Sequence, residues 1–463
     1  MSGTIEVDYL IIGAGAVGMA FADILLAETN ATIAMVDRRH RPGGHWNDAY
    51  PFVRLHQPSG FYGVSSRILG TGAKDEVGHN QGMFELASGQ EVLSHFDLTM
   101  QQQFLPSGRL HWFPMSNVDV DETISSLMSG ERTEVTARKV VDATYSQMRI
   151  PSVDPPRYEI DPRVNCIPPN DLPRCSAGYD HYVVVGAGKT AMDACIWLLD
   201  AGTPPDRIRW IVPRDSWLLD RRNYQPGEEY FTKVCKGIAD QVEAVAIADT
   251  IDDIYLNLEA REFLTRIDSA ITPEAYHCAV ISPGELEQLR SITDVVRLGR
   301  VTRLTPDEII LEHGSVPAES NPLYVDCSSP GIPRRPSTPI FAGDRITPQW
   351  IRTCQPTFSA AFIAHIESTY DDDDLKNLLC PPIEPPEVPL DYVRMFQLEL
   401  ATRTRWDQHP EIRTWSETCR LDPFSSVAKT QIGVNAEATE HLGRYLANYG
   451  PAVEKLDQLL GPV

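Results

Sequence analysis

The stretch that decides the fold is Asp8-Tyr9-Leu10-Ile11-Ile12-Gly13-Ala14-Gly15-Ala16-Val17-Gly18. Its first five residues predict a buried strand, and a helix is predicted from Met19 to Ala27. Glycine at position 13 permits a tight turn, glycine at 15 lets the backbone approach a pyrophosphate, and glycine at 18 allows close helix packing. Because the helix N-terminus supplies amide donors, the stretch predicts a dinucleotide-binding loop.

The residues after this helix complete a strand–helix–strand unit. Thr32 to Val36 predict a second strand, and Asp37 ends it, nineteen residues after Gly18. A carboxylate at this place accepts hydrogen bonds from the hydroxyls of an adenosine ribose. The predicted contacts of this unit with its dinucleotide are Gly13, Gly15, Ala16, Val17, Gly18, Asp37 and Arg38.

The chain repeats this plan once. Ile5–Arg38 and Tyr182–Asp215 share the order strand, glycine turn, helix and second strand. The second turn is Gly186-Ala187-Gly188-Lys189-Thr190-Ala191, and its strand partner ends on Pro213-Arg214 where the first unit has an acid. A carboxylate there would repel a 2′-phosphate, whereas a guanidinium binds it, so Arg214 favours NADPH. The predicted contacts are Gly186, Gly188, Lys189, Thr190 and Arg214.

The sequence therefore predicts an α/β fold with two Rossmann-type dinucleotide-binding domains, each with three layers (β/β/α). Proline-rich segments at 150–173 and 321–339 mark two crossings, which indicates that the second domain is inserted into the first. The predicted first domain comprises residues 1–165 and 326–380, and the second residues 166–325 with a helical insertion at Tyr230–Ile267. Residues 381–463 predict a helical extension that serves packing or homo-oligomerisation.

Composition excludes several classes of protein. The formal net charge of -23 disfavours nucleic acid as a partner, since binding of a polyanion depends on clustered Lys and Arg. The nine cysteines include no C-x-x-C pair and no spacing with His that predicts a metal site, which favours the reducing cytoplasm. No signal peptide or membrane span is predicted. The acidic run Asp371–Asp374 is interpreted as a solvated loop.

One stretch carries a family resemblance. Arg41-Pro42-Gly43-Gly44-His45-Trp46 resembles the R-x-G-G-x-W sequence of flavin-containing and Baeyer-Villiger monooxygenases, which are class B flavoprotein monooxygenases. The resemblance implies FAD on the first unit, with the glycine pair letting the chain pass the cofactor beside Gly44, His45 and Trp46. Phe341-Ala342-Gly343-Asp344 is similar to a second flavin motif, which implies that Gly343 and Asp344 contact the ribityl chain. A helix over Pro356–Ile366 would then point its N-terminus at the flavin pyrimidine edge.

The chain departs from this family in one motif, because F-x-G-x-x-x-H is absent from the Tyr145–Tyr182 segment. Three functional hypotheses therefore stay open. The first is an NADPH-dependent monooxygenase that uses molecular oxygen and a flavin C4a-hydroperoxide to oxygenate a small organic substrate. The second is a flavin dehydrogenase or reductase that uses NADPH, and the third is a non-catalytic dinucleotide-binding regulator. The missing C-x-x-C excludes the disulfide reductases.

The polar loop Arg54–Tyr62, together with Trp46, supplies the catalytic candidates. It follows Trp46 at the distance where related enzymes place residues over the flavin face, and it contains His56 and Gln57. His56 is interpreted as a proton donor or as a hydrogen-bond partner of a flavin oxygen adduct. The alternative is that Arg54, His56 and Gln57 only fix the loop.

Overall fold

The computed structural model describes residues 3–462, which form twenty strands and thirteen α-helices. The strands are β1 (Gly3–Ile12), β2 (Ile33–Val36), β3 (Leu110–Phe113), β4 (Ser116–Val118), β5 (Ile124–Ser126), β6 (Arg132–Asp142), β7 (Glu159–Ile160), β8 (Cys166–Ile167), β9 (His181–Val185), β10 (Ile208–Ile211), β11 (Ser216–Asp220), β12 (Leu264–Thr265), β13 (Ala275–Ile281), β14 (Asp294–Val296), β15 (Val301–Leu304), β16 (Glu308–Leu311), β17 (Gly314–Pro317), β18 (Pro322–Asp326), β19 (Phe341–Ala342) and β20 (Arg345–Ile346). The α-helices are α1 (Ala16–Glu28), α2 (Gly89–Thr99), α3 (Leu172–Cys175), α4 (Lys189–Asp200), α5 (Glu228–Ala246), α6 (Ile251–Ala260), α7 (Pro283–Arg290), α8 (Pro356–Thr369), α9 (Asp373–Leu379), α10 (Pro389–Trp406), α11 (Pro410–Thr418), α12 (Pro423–Gln431) and α13 (Ala436–Leu460).

The first unit is an eight-stranded sheet with β1 near its centre. β1 pairs in parallel with β2 and β6, and the row runs β19-β20-β6-β1-β2-β3. Parallel pairing brings the carboxyl ends of β1, β2 and β6 to one edge, directly before Gly13, Asp37 and Ala143. One face is covered by α1 and α8, and the other carries the smaller core that includes Ile124 of the β4–β5 hairpin.

The second unit repeats this arrangement around β9, in the order β14-β10-β9-β18-β8. Val185 and Ile211 of this sheet share a core with Leu304 and Ile309 of a second sheet built from β7, β15, β16 and β17. The opposite face packs against α4 and α7. The chain leaves the first sheet after β6 and returns to it at β19, so the predicted inserted, three-layer architecture is confirmed.

The first crossing differs from the extended linker predicted at 150–173. Glu159 of β7 pairs with Arg303 of β15, and Cys166 of β8 pairs with Tyr324 of β18. Both strands therefore belong to the second unit, which begins before residue 166. Prolines are compatible with such short edge strands because one side of an edge strand has no pairing partner.

The helical insertion and the C-terminal extension pack on each other. α5 and α6 lie within the predicted insertion, and Val242 and Val245 of α5 share a core with Ala452 and Leu456 of α13. The extension therefore has a packing role, and homo-oligomerisation stays a prediction. Within residues 3–462, no helix is long and apolar enough to cross a bilayer.

Candidate active site

The first glycine loop has the geometry that its motif requires. Gly13 has a φ of 98°, in the left-handed region that glycine adopts without strain. A Cβ on Gly18 would lie 2.0 Å from the Gly13 carbonyl oxygen, so only glycine fits there. Gly15 precedes α1 and forms no side-chain cap, which leaves the amides at Ala16 and Val17 without a capping side chain. This helix N-terminus fits a dinucleotide pyrophosphate.

The Gly43-Gly44 pair packs against this loop. The Gly43 amide donates a hydrogen bond to the Ala14 carbonyl oxygen at 2.8 Å, and the φ angles of the pair are 115° and 54°. A Cβ on Gly44 would lie 2.9 Å from the Cα of Gly15. The glycine pair therefore lets its backbone pack closely on the backbone of the first glycine loop. The resemblance had implied that this close approach was to the cofactor.

Asp37 fixes the glycine loop from the end of β2. Its Oδ2 accepts a hydrogen bond from the Ala14 amide at 2.7 Å, and its Oδ1 accepts one from the Arg39 amide at 2.8 Å. Each carboxylate oxygen has two lone pairs, so Asp37 keeps acceptor capacity for a ribose. Arg38 is exposed and forms no ion pair with any residue between 3 and 462.

Trp46, which is buried, and Tyr62, which is partly buried, form an aromatic pair beside the Gly43-Gly44 turn. The Trp46 indole Nε1–H donates to the Tyr62 hydroxyl at 2.8 Å, and burial raises the pKa of Tyr62 above its usual range. His45 stacks on Trp46 with ring centroids 5.3 Å apart. Burial, and next the Arg39 charge, lower the pKa of His45 to about 4, so its ring is neutral near pH 7.

His56 joins the two units. Its Nδ1 accepts a hydrogen bond from the Val280 amide at 3.1 Å, and its carbonyl oxygen accepts one from the Arg221 Nε at 3.0 Å. Burial, followed by the Lys189 and Arg221 charges, lowers the pKa of His56 to about 3. The neutral ring therefore carries its hydrogen on Nε2. The neutral ring supports the prediction that His56 is a hydrogen-bond partner, with Nε2–H as the donor. It argues against the prediction that His56 is a proton donor.

The structure places Gly343 and Asp344 away from the first glycine loop. They form the turn between β19 and β20, where the Asp344 carbonyl oxygen accepts a hydrogen bond from the Val140 amide at 2.8 Å. Since β20 runs parallel to β6 and Arg345 pairs with Val140, this turn lies about 10 Å of strand before Ala143 and the carboxyl edge of the sheet. Asp344 is exposed, and the Gly343 amide donates to Asp373 Oδ2 at 2.8 Å. The ribityl contact stays a prediction, and this placement argues against it.

The reason for this difference is the direction of a short hairpin. A Gly-Asp pair after an apolar pair is typical both of a strand ending at the carboxyl edge and of a hairpin turn. Here β20 continues to Ile346, so Thr347 and the residues after it reach the edge that holds the glycine loop. The acidic run Asp371–Asp374, predicted to be a solvated loop, also makes structural contacts. Asp372 caps α9, and Asp373 accepts a hydrogen bond from the hairpin turn.

The second glycine loop repeats the geometry of the first. Gly186 has a φ of 129°, and a Cβ on it would lie 2.5 Å from the Cys327 carbonyl oxygen. Gly188 forms no side-chain cap on α4, and no atom lies within 4 Å of its Cβ position. This open space in front of an uncapped helix fits a second pyrophosphate, with Thr190 in the first turn of the helix.

Lys189 belongs to a buried ionic cluster instead of projecting freely from this loop. Its Nζ forms ion pairs with Asp193 and with Glu285 Oε1, the latter at 3.3 Å. Glu285 Oε2 also pairs with the fully buried Arg221 at 2.6 Å, and the Tyr50 hydroxyl donates to Asp193 Oδ2 at 2.7 Å. The cluster connects the loop after Trp46 to α4. A Lys189 contact with NADPH stays a prediction.

Arg214 lies at the carboxyl edge of the second sheet, three residues after β10. Its Nη2 pairs with Glu387 Oε1 at 3.2 Å, and its side chain is 29% exposed. This single, partly exposed ion pair leaves most of the guanidinium donors unused. The two arginines that follow β11 are both in salt bridges, since Arg222 pairs with Asp220 and Arg221 pairs with Glu285.

Sequence reasoning missed a cavity of about 750 Å³ beside this region. Gln57 and Phe61 line one side, and the segment 352–355 before α8 lines another. Cys354 of that segment forms a disulfide with Cys278 of β13, with Cα atoms 6.3 Å apart. No spacing in the sequence indicates this pairing or the cavity, because both depend on elements far apart in the chain.

Comparisons with known proteins agree with this architecture. Residues 11–57 match the family model described as NAD(P)-binding Rossmann-like domain. Uncharacterized proteins of Mycobacterium tuberculosis and Mycobacterium bovis are each 48% identical over 419 residues, covering 90% of this chain and 78% of the relative. The chain belongs to the family of these mycobacterial proteins.

The fold of this mycobacterial family has a solved counterpart. A cyclohexanone-bound crystal structure of cyclohexanone monooxygenase aligns with a TM-score of 0.51 and 13% identity, covering 81% of this chain and 87% of that one. This chain therefore shares the fold of cyclohexanone monooxygenase, which confirms the fold implied by the Arg41–Trp46 resemblance.

Proposed function

We propose that the chain is a flavoprotein monooxygenase that binds FAD on the first unit and NADPH on the second. The observation that carries the proposal is that the two uncapped glycine loops belong to units joined by direct polar contacts. His56 of the first unit accepts from Val280, and Tyr50 donates to Asp193 at the second loop's helix. Redox exchange between two dinucleotides requires such a fixed mutual placement.

The roles of the residues follow from their positions. Gly13, Gly15, Gly18 and Asp37 would hold FAD, and the Gly186 loop with Arg214 would hold NADPH. FAD held there would supply the redox chemistry, with NADPH as the hydride donor and molecular oxygen as the electron acceptor.

The chain itself supplies positioning and a dry environment. Trp46 and Tyr62 form a wall in which the Tyr62 hydroxyl satisfies the indole N–H of Trp46, so the Tyr62 O–H is the one polar donor that the pair presents to the flavin face. His56 offers a neutral Nε2–H as a hydrogen-bond donor, and Gln57 follows it at the cavity. The organic substrate would then enter from the cavity side.

A flavin reductase that uses NADPH is the second candidate. The absence of F-x-G-x-x-x-H before the second glycine loop favours it, since the monooxygenases of the resembled family carry that motif. The reductase would use the same FAD and NADPH contacts and would return electrons to oxygen only as hydrogen peroxide.

Two measurements on the FAD-loaded protein test these hypotheses. Anaerobic NADPH should bleach the flavin absorbance, and a missing bleach would leave only the non-catalytic regulator. Turnover under ¹⁸O₂ with amine, sulfide, ketone and phenol libraries should then give a product that contains one ¹⁸O atom. Bleaching with stoichiometric hydrogen peroxide and no labelled product would favour the reductase.

A further inference from the structure

The C-terminal extension builds most of the walls of the 750 Å³ cavity, which we call the chamber. Residues from α10, α11 and α12 line it, and α5 of the helical insertion lines it from the other unit. Gln57 and Phe61 open on the same space. The chamber therefore extends from the loop over the proposed flavin site to the extension.

Aromatic rings form a large part of the apolar lining. Six of them are Tyr224, Phe263, Tyr392, Phe396, Trp406 and Phe424, and three of these six belong to α10. Together with aliphatic side chains such as Val234 and Leu421, they give a mostly apolar surface. Apolar pockets with few polar groups are typical of sites for organic ligands.

Only some of the charged groups in the wall are neutralised. Arg352 pairs with Asp422 at 3.0 Å, and its Cζ lies 3.6 Å from the centroid of the Phe358 ring. Four other charged residues of the wall form no ion pair with any residue between 3 and 462: Glu399, Arg403, Asp407 and Arg413. The wall therefore does not decide the charge of its ligand, whereas its apolar rings favour a ligand with a large apolar surface.

Its volume decides the size of that ligand. Pockets for drug-sized molecules span roughly 300 to 1,000 Å³ and enclose most of the ligand surface. A single six-membered ring would leave most of a 750 Å³ chamber unfilled and most of its aromatic rings without contact.

We propose that the chamber binds a multi-ring or similarly bulky substrate with a large apolar surface, with its reacting atom toward Gln57 and Phe61. This inference rests on the proposed function for the reaction, and it replaces the small substrate predicted from the sequence. It also gives the C-terminal extension a role in substrate binding beyond packing.

Binding can be tested without turnover. Prodan, a neutral naphthalene fluorophore, should bind the FAD-loaded protein at one site per chain with a blue-shifted emission. Ala428→Trp places an indole in the chamber from α12, and Val234→Phe fills it from α5. Each should weaken Prodan binding by about tenfold, the effect of ~1.4 kcal/mol. Ala447→Trp, on the exposed side of α13, is the matched control and should leave binding unchanged.

The outcomes separate this inference from the proposed function. Prodan binding that both filling variants weaken supports the chamber, even if NADPH fails to bleach the flavin. Bleaching with no Prodan site, or with Prodan binding that neither Val234→Phe nor Ala428→Trp changes, overturns the chamber and leaves the flavin chemistry intact. Labelled product from cyclohexanone with a better kcat/KM than from a two- or three-ring ketone would also overturn it.

Discussion

His56 Nδ1 and the Val280 amide nitrogen lie 3.1 Å apart, and this hydrogen bond connects the loop after the first glycine motif to β13 of the inserted unit. The bond exists only when the imidazole is neutral at Nδ1, since a protonated ring has no acceptor. Protonation of one side chain therefore breaks a contact between the two units.

The first prediction concerns stability against pH. The folded-state pKa of His56 is about 3, below the value of about 6.5 for an unfolded histidine. Between these values the unfolded chain binds more protons, so the His56 contribution to the free energy of unfolding is complete above pH ~6.5 and is lost as pH falls toward 3. The melting temperature should fall less steeply from pH 6.5 to 4.5 in His56→Asn than in the wild type.

Part of the acid sensitivity should remain in that variant. Burial also lowers the pKa of His45 and of His95 to about 4. Their contributions to the free energy of unfolding are therefore also lost as the pH falls over this range. Equal slopes for the wild type and His56→Asn would show that the His56 ring is not held neutral by the fold.

The second prediction separates the two cofactor sites. A Cβ at position 15 would lie 3.5 Å from Gly44 Cα, an ordinary contact, and a Cβ at position 188 meets nothing within 4 Å. Both Gly15→Ala and Gly188→Ala should therefore fold. Gly15→Ala should lower FAD content, whereas Gly188→Ala should keep FAD and raise the KM for NADPH roughly tenfold, as a loss of ~1.4 kcal/mol would.

Each of these glycine variants serves as the control for the other. Absorbance of the purified proteins gives the FAD content, and steady-state kinetics give the KM. If Gly15→Ala keeps full FAD and changes only the NADPH constant, the two sites have been assigned in the wrong order.

The third prediction concerns Arg214. Arg214→Ala should reduce the preference for NADPH over NADH by about 1.5–3 kcal/mol, the usual contribution of a hydrogen bond to a charged group. The ratio of kcat/KM values should thus change roughly tenfold to hundredfold. Glu387→Gln removes the competing carboxylate and should keep or increase the preference. An unchanged ratio in Arg214→Ala would assign the phosphate to another residue, with Lys189 as the next candidate.

Whether a feature could be predicted from the sequence depends on how far apart in the chain its interacting residues lie. The glycine loops, β1 and the position of Asp37 were predictable, because each depends on residue types at short, fixed spacing. The packing of Gly44 on Gly15 was not, since a glycine pair gives no sign of which backbone it approaches. The hairpin direction at Asp344 and the chamber depend on pairing between distant segments, for which the sequence has no local pattern.

The fourth prediction tests that hairpin. Asp344 is exposed in a hairpin turn about 10 Å of strand before the carboxyl edge of the sheet, whereas Asp37 lies at that edge and binds the Ala14 amide. Asp344→Ala should keep its FAD, and Asp37→Ala should lose most of it. FAD content and melting temperature are the two readouts. Loss of FAD in Asp344→Ala at an unchanged melting temperature would restore the ribityl contact implied by the motif.

The last prediction concerns the aromatic wall of Trp46 and Tyr62. Trp46→Phe removes the donor of their 2.8 Å hydrogen bond and Tyr62→Phe removes the acceptor, while both keep an apolar ring. Each variant leaves one polar group of the pair without its partner, and a water molecule that satisfies it would enter the dry face. Both should therefore form more hydrogen peroxide per NADPH oxidised than the wild type.

The double variant and a distant tryptophan make this prediction specific. Since both substitutions break one bond, Trp46→Phe with Tyr62→Phe should uncouple no more than the worse single variant. Trp415→Phe loses a comparable hydrogen bond, 2.7 Å from Nε1 to Glu28 Oε1, but on α11 away from the wall. Its peroxide yield should match the wild type. Equal uncoupling in Trp415→Phe would mean that peroxide reports general loosening of the fold, and the wall would then have no special part in excluding water.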